Sequence, residues 1–497
     1  MSRAALPILL PALGALLVLA VDLLGRTRPV DAAAAHRATA LSGIRLAAVA
    51  LLTLGAMGLS LRGAAPVAVG SVLAVDAFAT LAILFLVGWA FLVLCLSLTH
   101  FGMARSRPAE PLALLLFSLA GLAAATATRD LLTLLVALEL AWLPLVALIA
   151  IDSRRLSSSE SSLKAFFAHG LASLVLAQGL AFVFGATGRL ELDALSQAPG
   201  QPLLLDVGVA LLIAGLLARA VVAPFHPWSP DVHEGAPSFV TTWIATGVQA
   251  TSFFVLLRLL HALVPAADGD GAVRVVARLP ELLGVLGVVG LVWGHAMALV
   301  QIGLRRMVGW LGVGQAGFFT LALVEARGAG GEALFFALAA AGIAVAGVLG
   351  TLASLSHHER ACENVGDLAG MAQQSPIRAV FFALFLLSLA GFPGTMGFVA
   401  RLRILSALDQ GGHRGLLLAG LAATVLALIA AGRPLLAMLR PPELGRPTSR
   451  ALSHEQLVLA LCGACILYLG LAPLGEVGNV ASWLDARIDL AVAGLRD

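Results

Sequence analysis

The chain has 497 residues, of which 60% are hydrophobic and 12% charged, whereas an ordinary soluble protein carries about 25% charged residues. The net charge of +3 is spread over short polar stretches without a basic tract, which excludes nucleic acid as a partner. The cysteines form neither a secreted disulfide framework nor a metal-ligand pattern, so the sequence predicts no metal or redox centre; they are Cys95, Cys362, Cys462 and Cys465.

Apolar runs of about 20 residues recur along the chain, and each is long enough to cross a hydrocarbon core about 30 Å thick as a helix. The first run lacks a cleavage site and is predicted to be a retained helix. The pattern predicts a single all-α, polytopic membrane domain of about fourteen transmembrane helices in a lipid bilayer. The predicted spans are 4–24, 41–61, 73–98, 111–128, 131–151, 162–185, 202–227, 238–264, 281–301, 306–325, 332–355, 378–404, 415–438 and 453–474.

Two of the predicted helices are interrupted by proline and glycine. The seventh runs into Pro224 and Pro227, and the twelfth contains Gly391 and Pro393. Proline removes a backbone donor and clashes with the preceding turn, and membrane helices keep such breaks where they line a cavity or an ion path. We therefore predict that helices 7 and 12 are broken. The alternative is that proline is simply frequent in membrane helices.

The two breaks occupy matching positions if helices 4–8 and 9–13 are counted as five-helix units, because each then falls in the fourth helix of its unit. This correspondence predicts an internal repeat, which is inverted because five is an odd number. Within the single membrane domain, 1–497, the predicted parts are three N-terminal helices (1–110), the first repeat (111–264), the second repeat (281–438) and a C-terminal helix and tail (453–497).

Glu139 lies well inside the fifth predicted helix, with no other charge near it in sequence. A charge at the bilayer centre costs at least about 2.5 to 3.5 kcal/mol, so such a residue normally faces the bundle interior and has a partner. We therefore predict that Glu139 lies close to a basic side chain of another helix, Lys164 or Arg219.

Lys164 is the only lysine in the chain and lies at the start of the sixth predicted helix. Arginine keeps its proton in proteins, whereas an ammonium group removed from water can shift its pKa by several units and exchange a proton. The sequence therefore predicts Lys164 as a proton carrier. The alternative is a lysine that extends from a helix end to the membrane interface.

Several histidines lie in or beside apolar runs and could relay protons, since neutral histidine titrates near physiological pH. For any single one of them, a hydrogen-bonded histidine of the protein core is the simpler interpretation. They are His169, His226, His233 and His295.

The stretch Pro224–Pro237, with the sequence PFHPWSPDVHEGAP, resembles the broken-helix signature of a known family. This family comprises the antiporter-like subunits of bacterial NADH:quinone oxidoreductase (respiratory complex I) and of related multi-subunit cation/proton antiporters. The N-type subunits are the most similar, and the similarity extends over nearly the whole chain. Further matching stretches are Leu138–Leu140 with Pro144, Phe184–Gly188, Asp367–Gly370 and Leu387–Gly391.

The resemblance implies two inverted five-helix repeats, each forming a half-channel, with an axis of Glu and Lys residues through the bacterial inner membrane. It implies other membrane-arm and peripheral-arm subunits as partners. FMN, iron-sulfur clusters and quinone are expected in the whole complex, with no cofactor, metal or catalytic redox residue in this chain.

The family's proton-path residues carry over position by position. Glu139 matches the acidic residue of the fifth helix, and Lys164 matches the lysine of the sixth. Elsewhere this chain departs from the family, because arginine or glutamine occupies basic positions that are usually lysine. These substitutions remove side chains that are able to release a proton. These positions are Arg219 before the first break, Gln249 in the eighth helix, Arg305 opening the tenth and Arg401 after the second break; His226 lies within the signature itself.

The function that the resemblance implies is proton translocation coupled to electron transfer from NADH to quinone, within a translocase whose redox chemistry occurs in other chains. Two alternatives stay open. The chain could belong to a cation/proton antiporter or membrane-bound hydrogenase of the same superfamily, or it could be a structural subunit that no longer conducts protons.

Overall fold

The computed structural model describes residues 5–24, 32–61, 67–69, 72–104, 108–152, 155–195, 202–263, 274–355, 362–441, 453–471 and 479–496. Helices account for nearly all of this part of the chain. The strands in it form one antiparallel hairpin, in which β1 (Val67–Val69) pairs with β2 (Leu73–Val75) and Leu73 also bridges to Thr128.

The α-helices follow one another with short connections. In chain order they are α1 Leu6–Leu24, α2 Ala32–Ser60, α3 Ala77–Ala104, α4 Ala109–Ala127, α5 Leu131–Ile149, α6 Leu156–Thr187, α7 Pro202–Arg219, α8 Trp228–Gly235, α9 Ser238–Trp243, α10 Gln249–Ala262, α11 Arg274–Val300, α12 Leu304–Val324, α13 Gly330–Leu355, α14 Met371–Gln374, α15 Pro376–Ala390, α16 Met396–Gln410, α17 Arg414–Leu439, α18 Ser453–Leu471 and α19 Asn479–Arg496. Short 3-10 segments span Leu192–Leu195 and Val365–Leu368.

Each of the fourteen predicted spans coincides with one helix or with a broken pair. In the described part of the chain, ten helices are long and apolar enough to cross a membrane by length and composition, and three shorter apolar helices span Arg45–Ser60, Pro376–Ala390 and Gln456–Leu471. The polytopic all-α fold is confirmed. Some predicted helix starts are wrong. The sixth helix begins at Leu156 instead of 162, with a serine-rich turn that hydropathy alone does not assign to a span, and the second begins at Ala32 instead of 41. The third begins at Ala77 instead of 73, because Leu73–Val75 form β2.

The two predicted helix breaks are present. The first separates α7 from α8 and contains a cis peptide bond before Pro224 and a positive φ of 63° at Val221. The second separates α15 from α16, where Gly391 and Gly394 have φ values of 80° and 84°. Proline prevents the helix from continuing, and left-handed glycines terminate it and turn the chain.

The eighth predicted helix contains a local irregularity beside the first break. Between α9 and α10 the chain forms a π-helical segment over Ile244–Val248, and Gln249 follows it directly. Such π segments inside α-helices are frequent at functional sites, because the extra residue redirects the side chains that follow.

Matching contacts recur in the two predicted five-helix units. In the first unit, residue Asp130 after α4 bridges to Glu191 after α6; in the second, Gly303 after α11 bridges to Asn364 after α13. The first two helices of both units also pack through a glycine. A Cβ on Gly121 of α4 would lie 2.4 Å from the backbone of α5, and a Cβ on Gly294 of α11 would lie 2.4 Å from the backbone of α12. Small residues permit this close approach of membrane helices.

An arginine of the fifth helix caps the first helix in both units. Arg258 of α10 donates to the carbonyls of Thr126 and Thr128, at 3.0 and 3.2 Å, and so binds the end of α4. Arg433 of α17 donates in the same way to two carbonyls at the end of α11, those of Leu299 and Gln301. Five membrane crossings separate these two ends, so the second cap lies at the opposite end of the bundle from the first.

Candidate functional site

The first unit contains a buried ion pair beside its break. Arg219 is the last residue of α7 and Glu139 lies in the middle of α5, and Arg219 Nη2 donates to Glu139 Oε1. The side chain of Arg219 is 2% exposed and that of Glu139 is 34% exposed. A charge buried this far needs a compensating partner, and the carboxylate supplies it. Of the two basic partners predicted for Glu139, Arg219 is the one that pairs with it.

Ser173 of α6 completes this cluster. Its hydroxyl accepts a hydrogen bond from Arg219 Nη2 and has two acceptors within reach of its own proton, Glu139 Oε1 and the His169 carbonyl. The three helices α5, α6 and α7 thereby bring a carboxylate, a hydroxyl and a guanidinium together. Sequence analysis did not single out Ser173; a polar residue one helical turn after His169, in an otherwise apolar stretch, was the available signal.

Lys164 belongs to a different cluster. Its Nζ lies 2.6 Å from Asp231 of α8 and 2.7 Å from Glu160 of α6, and its side chain is 44% exposed. Asp231 is also 3.0 Å from Arg306 of α12, so this carboxylate joins α6, α8 and α12. Because α6 starts earlier than predicted, Lys164 lies in its third turn rather than at its beginning. The structure therefore separates Lys164 from the ion pair of Glu139 and places it in a partly exposed salt-bridge network.

The first break is held by Gln249. Its Nε2 donates at 3.2 Å to the carbonyl of Ala220, the residue that follows α7. A break inside a membrane leaves backbone carbonyls without helical partners, and a side-chain donor compensates one of them. Pro224 and Pro227 lie on the exposed side of this break, whereas Arg219 and Gln249 face the interior.

Histidines and Arg305 surround this region. His226, within the break, packs against Trp310 with 5.3 Å between ring centroids, and His169 stacks on Trp142. Neither ring nitrogen of His169 has a hydrogen-bond partner in the described part of the chain. Arg305 Nη1 donates at 3.4 Å to the carbonyl of Ala236, after α8. In contrast, two histidines form hydrogen bonds to the preceding helical turn, as core histidines do: His233 to Ser229 and His295 to Leu291.

The second unit has a buried arginine at the corresponding break. Arg401 of α16 is 3% exposed, and its Nη2 donates at 2.8 Å to the carbonyl of Leu389 in the last turn of α15. Gln315 of α12 donates to the same carbonyl. The guanidinium carbon of Arg401 lies 4.5 Å from the ring centroid of Phe318, a cation–π contact. Gly391 is buried beside this arginine, and Pro393 is exposed.

The two breaks therefore differ in chemistry. The first combines a carboxylate and a hydroxyl, which can exchange or pass a proton, with an arginine that keeps its own. The second has an arginine without an ion-paired carboxylate among the residues that the structure describes. No cluster of three or more histidine, cysteine, aspartate or glutamate side chains that could hold a metal ion occurs in that part of the chain either.

Comparison with known proteins places this geometry in a family. Residues 128–427, well over half of the chain, match the family model described as NADH:quinone oxidoreductase/Mrp antiporter, TM. NADH-quinone oxidoreductase subunit N of Syntrophotalea carbinolica is 34% identical over 409 residues, which cover 80% of this chain and 84% of that protein. The subunit N of Desulforamulus reducens is 32% identical over 372 residues, covering 74% and 76%.

Solved structures have the same fold. A chain of respiratory complex I from Thermus thermophilus superposes with a TM-score of 0.77 at 29% identity, over 94% of this chain and 97% of that chain. A chain of the Mrp complex from Dietzia sp. gives a TM-score of 0.82 at 20% identity, over 100% and 98%, which shows a shared fold alone.

Proposed function

The chain belongs to the family of NADH:quinone oxidoreductase and Mrp antiporter transmembrane subunits, and on that basis we propose that it is subunit N of a bacterial NADH:quinone oxidoreductase. It is a multi-pass protein of the inner membrane and assembles with the other membrane-arm and peripheral-arm subunits. Electrons pass from NADH to quinone in other chains, where FMN and the iron-sulfur clusters are bound.

Within this complex, the chain takes part in proton translocation through its first unit. The observation that carries this role is the Glu139–Ser173–Arg219 cluster next to the broken helix. Glu139 can bind and release a proton, whereas Arg219 keeps its positive charge. The attraction between the two side chains therefore changes each time Glu139 is protonated, and this change is large because the pair lies in a medium of low dielectric constant. Ser173 can pass a proton between the carboxylate and water in the break.

A second candidate function is that of a structural subunit that no longer conducts protons, and one observation favours it. Gln249 stands at a family lysine position and uses its amide to bind the carbonyl of Ala220. In the second unit, likewise, Arg401 occupies a family lysine position, and arginine cannot release its proton as a lysine can. In this candidate function, the fold and its docking surfaces are retained while the path through the second unit is lost.

Purification of the intact complex tests the assignment to NADH:quinone oxidoreductase. An affinity tag on this chain, in the native organism's membranes, is expected to recover a peripheral arm with bound flavin and iron-sulfur clusters and NADH-dependent quinone reduction. Recovery of this chain in assembled form with cation/proton antiporter subunits alone, without flavin, would overturn the assignment. Absorption spectra of the purified complex and identification of its subunits by mass spectrometry distinguish these results.

A further inference from the structure

Arg401 is a buried cation without a carboxylate partner. It is 3% exposed, and no Asp or Glu forms an ion pair with it in the part of the chain that the structure describes. Its Nη2 binds the Leu389 carbonyl, whereas its Nη1 is buried without a hydrogen-bond partner among those residues. Burying a charge is unfavourable unless the charge is paired, and the ring of Phe318 offsets only part of that cost.

In the first unit, the buried arginine has a carboxylate that neutralises its charge. Arg219 has Glu139 from α5, the second helix of its unit. The second helix of the other unit is α12, and it contributes Gln315 beside Arg401 instead of a carboxylate. Glutamine is neutral, so α12 lacks the negative charge that Glu139 gives α5.

A small cavity lies at this guanidinium. The centre of a water-sized sphere can move within about 10 Å³ of it, and its polar lining comes from Arg401, Gln315 and Ser388. All three can donate hydrogen bonds into it: Arg401 through Nη1, Gln315 through its second amide proton, and Ser388 through its hydroxyl, which accepts from the backbone of Gly397 and keeps its own proton to donate. The carbonyl of Leu389 already accepts two hydrogen bonds, and that of Ser388 accepts one from the backbone of Gly391.

We propose that this cavity is a binding site for a small monovalent anion, a halide such as chloride, which serves as the counter-ion of Arg401. The lining contains the Arg401 cation and two neutral side chains that can donate, but no carboxylate, so the potential in the cavity is positive. A water molecule would fit the volume but leaves the charge of Arg401 uncompensated, whereas a halide accepts hydrogen bonds from all three donors and neutralises it. The N-terminal turn of α16, which contributes Gly397 to the lining, adds a further partial positive charge.

The site goes beyond proton translocation and does not depend on it. A structural subunit that no longer conducts would still need a counter-ion for Arg401, and a complex that pumps through the first unit alone would contain the same anion. Absence of the halide would leave the proposed function unaffected.

Bromide gives a direct test, because it scatters X-rays anomalously and can replace chloride. Crystals of the intact complex, prepared in sodium bromide in place of chloride, are expected to show an anomalous peak in contact with Arg401 Nη1. Gln315→Glu supplies a covalent carboxylate at the same place and is expected to abolish the peak. Gln410→Glu makes the same chemical change at an exposed glutamine, the last residue of α16, and is expected to keep the peak.

A wild-type cavity without an anomalous peak in bromide, containing water alone, would overturn the proposal. So would a peak that survives in Gln315→Glu, or one that is lost equally in Gln410→Glu. If Gln315→Glu prevents assembly of the complex, Ser388→Ala, which removes one donor and only one oxygen atom, is expected to lower the bromide occupancy; unchanged occupancy would contradict the assigned set of ligands.

Discussion

The position of each buried charged residue in this membrane domain depends mainly on where its counter-charge lies. The insertion cost of a carboxylate was enough to predict that Glu139 has a basic partner, and Arg219 is that partner. The sequence could not show whether Lys164 or Arg219 is the partner, because this depends on how α6 and α7 are rotated relative to α5. Lys164 instead binds Asp231, which lies 67 residues away in sequence.

Lys164→Arg distinguishes proton exchange from anchoring. Lys164 is 44% exposed and held by Asp231 and Glu160, and a guanidinium can reach both carboxylates. We therefore expect Lys164→Arg to assemble and to pump protons as the wild type does, in vesicles that report quinone reduction and acidification together. Lys164→Ala is the matched comparison and is expected to lower the amount of assembled complex, because it leaves Asp231 with Arg306 alone.

A lower ratio of protons to electrons in Lys164→Arg, at wild-type assembly, would instead establish Lys164 as a proton carrier, since arginine keeps its proton at every accessible pH.

Among the elements, the two broken helices were the most predictable and their surroundings the least. Proline and glycine mark both breaks in the sequence, and the structure has a break at each. The short helix α8, the π segment before Gln249 and the amphipathic helix α19 could not be predicted from apolar runs, because none of them is a long hydrophobic stretch. Arg403 of α16 binds Asp485 of α19 through two hydrogen bonds, 2.8 and 3.0 Å long, so α19 is tied to the second break.

Gly391 tests how much the second break depends on a left-handed turn. Its φ is 80°, which costs a residue with a Cβ about 1 to 2 kcal/mol, and a Cβ at this position would lie 2.5 Å from Arg401 Cδ. Gly391→Ala is therefore expected to lower the yield and the thermal stability of the assembled complex. Gly432→Ala in α17 is the control, because no other atom lies within 4 Å of its added Cβ.

Equal stability of the Gly391→Ala and Gly432→Ala complexes in a thermal melt of the purified material would show that the turn at Gly391 does not determine the stability of this region.

At the scale of the whole molecule, matched contacts support the two inverted units that the breaks predict. Bridges after the first and third helices, glycine contacts between the first two helices, and arginine caps from the fifth helix recur in both units. The caps join residues more than 120 positions apart, so no local sequence pattern contains them. The order of the helices could be predicted from hydropathy, whereas these long-range hydrogen bonds depend on the packing.

The two predicted units share these matched contacts but differ in charge. The first unit has a carboxylate for its buried arginine, and the second has Gln315 and a donor-lined cavity. We therefore infer that proton translocation in this chain depends on Glu139 in the first unit.

The most direct test is the number of protons pumped per NADH oxidised by the intact complex in sealed vesicles. Glu139→Gln keeps the side-chain shape and one oxygen that can accept from Arg219 and Ser173, but removes the proton-binding group. It is expected to lower this ratio in complex that has assembled and still reduces quinone. Glu281→Gln makes the same change at an exposed glutamate of α11 and is expected to match the wild type. A wild-type ratio in Glu139→Gln, measured beside that control, would contradict the account and favour a structural subunit.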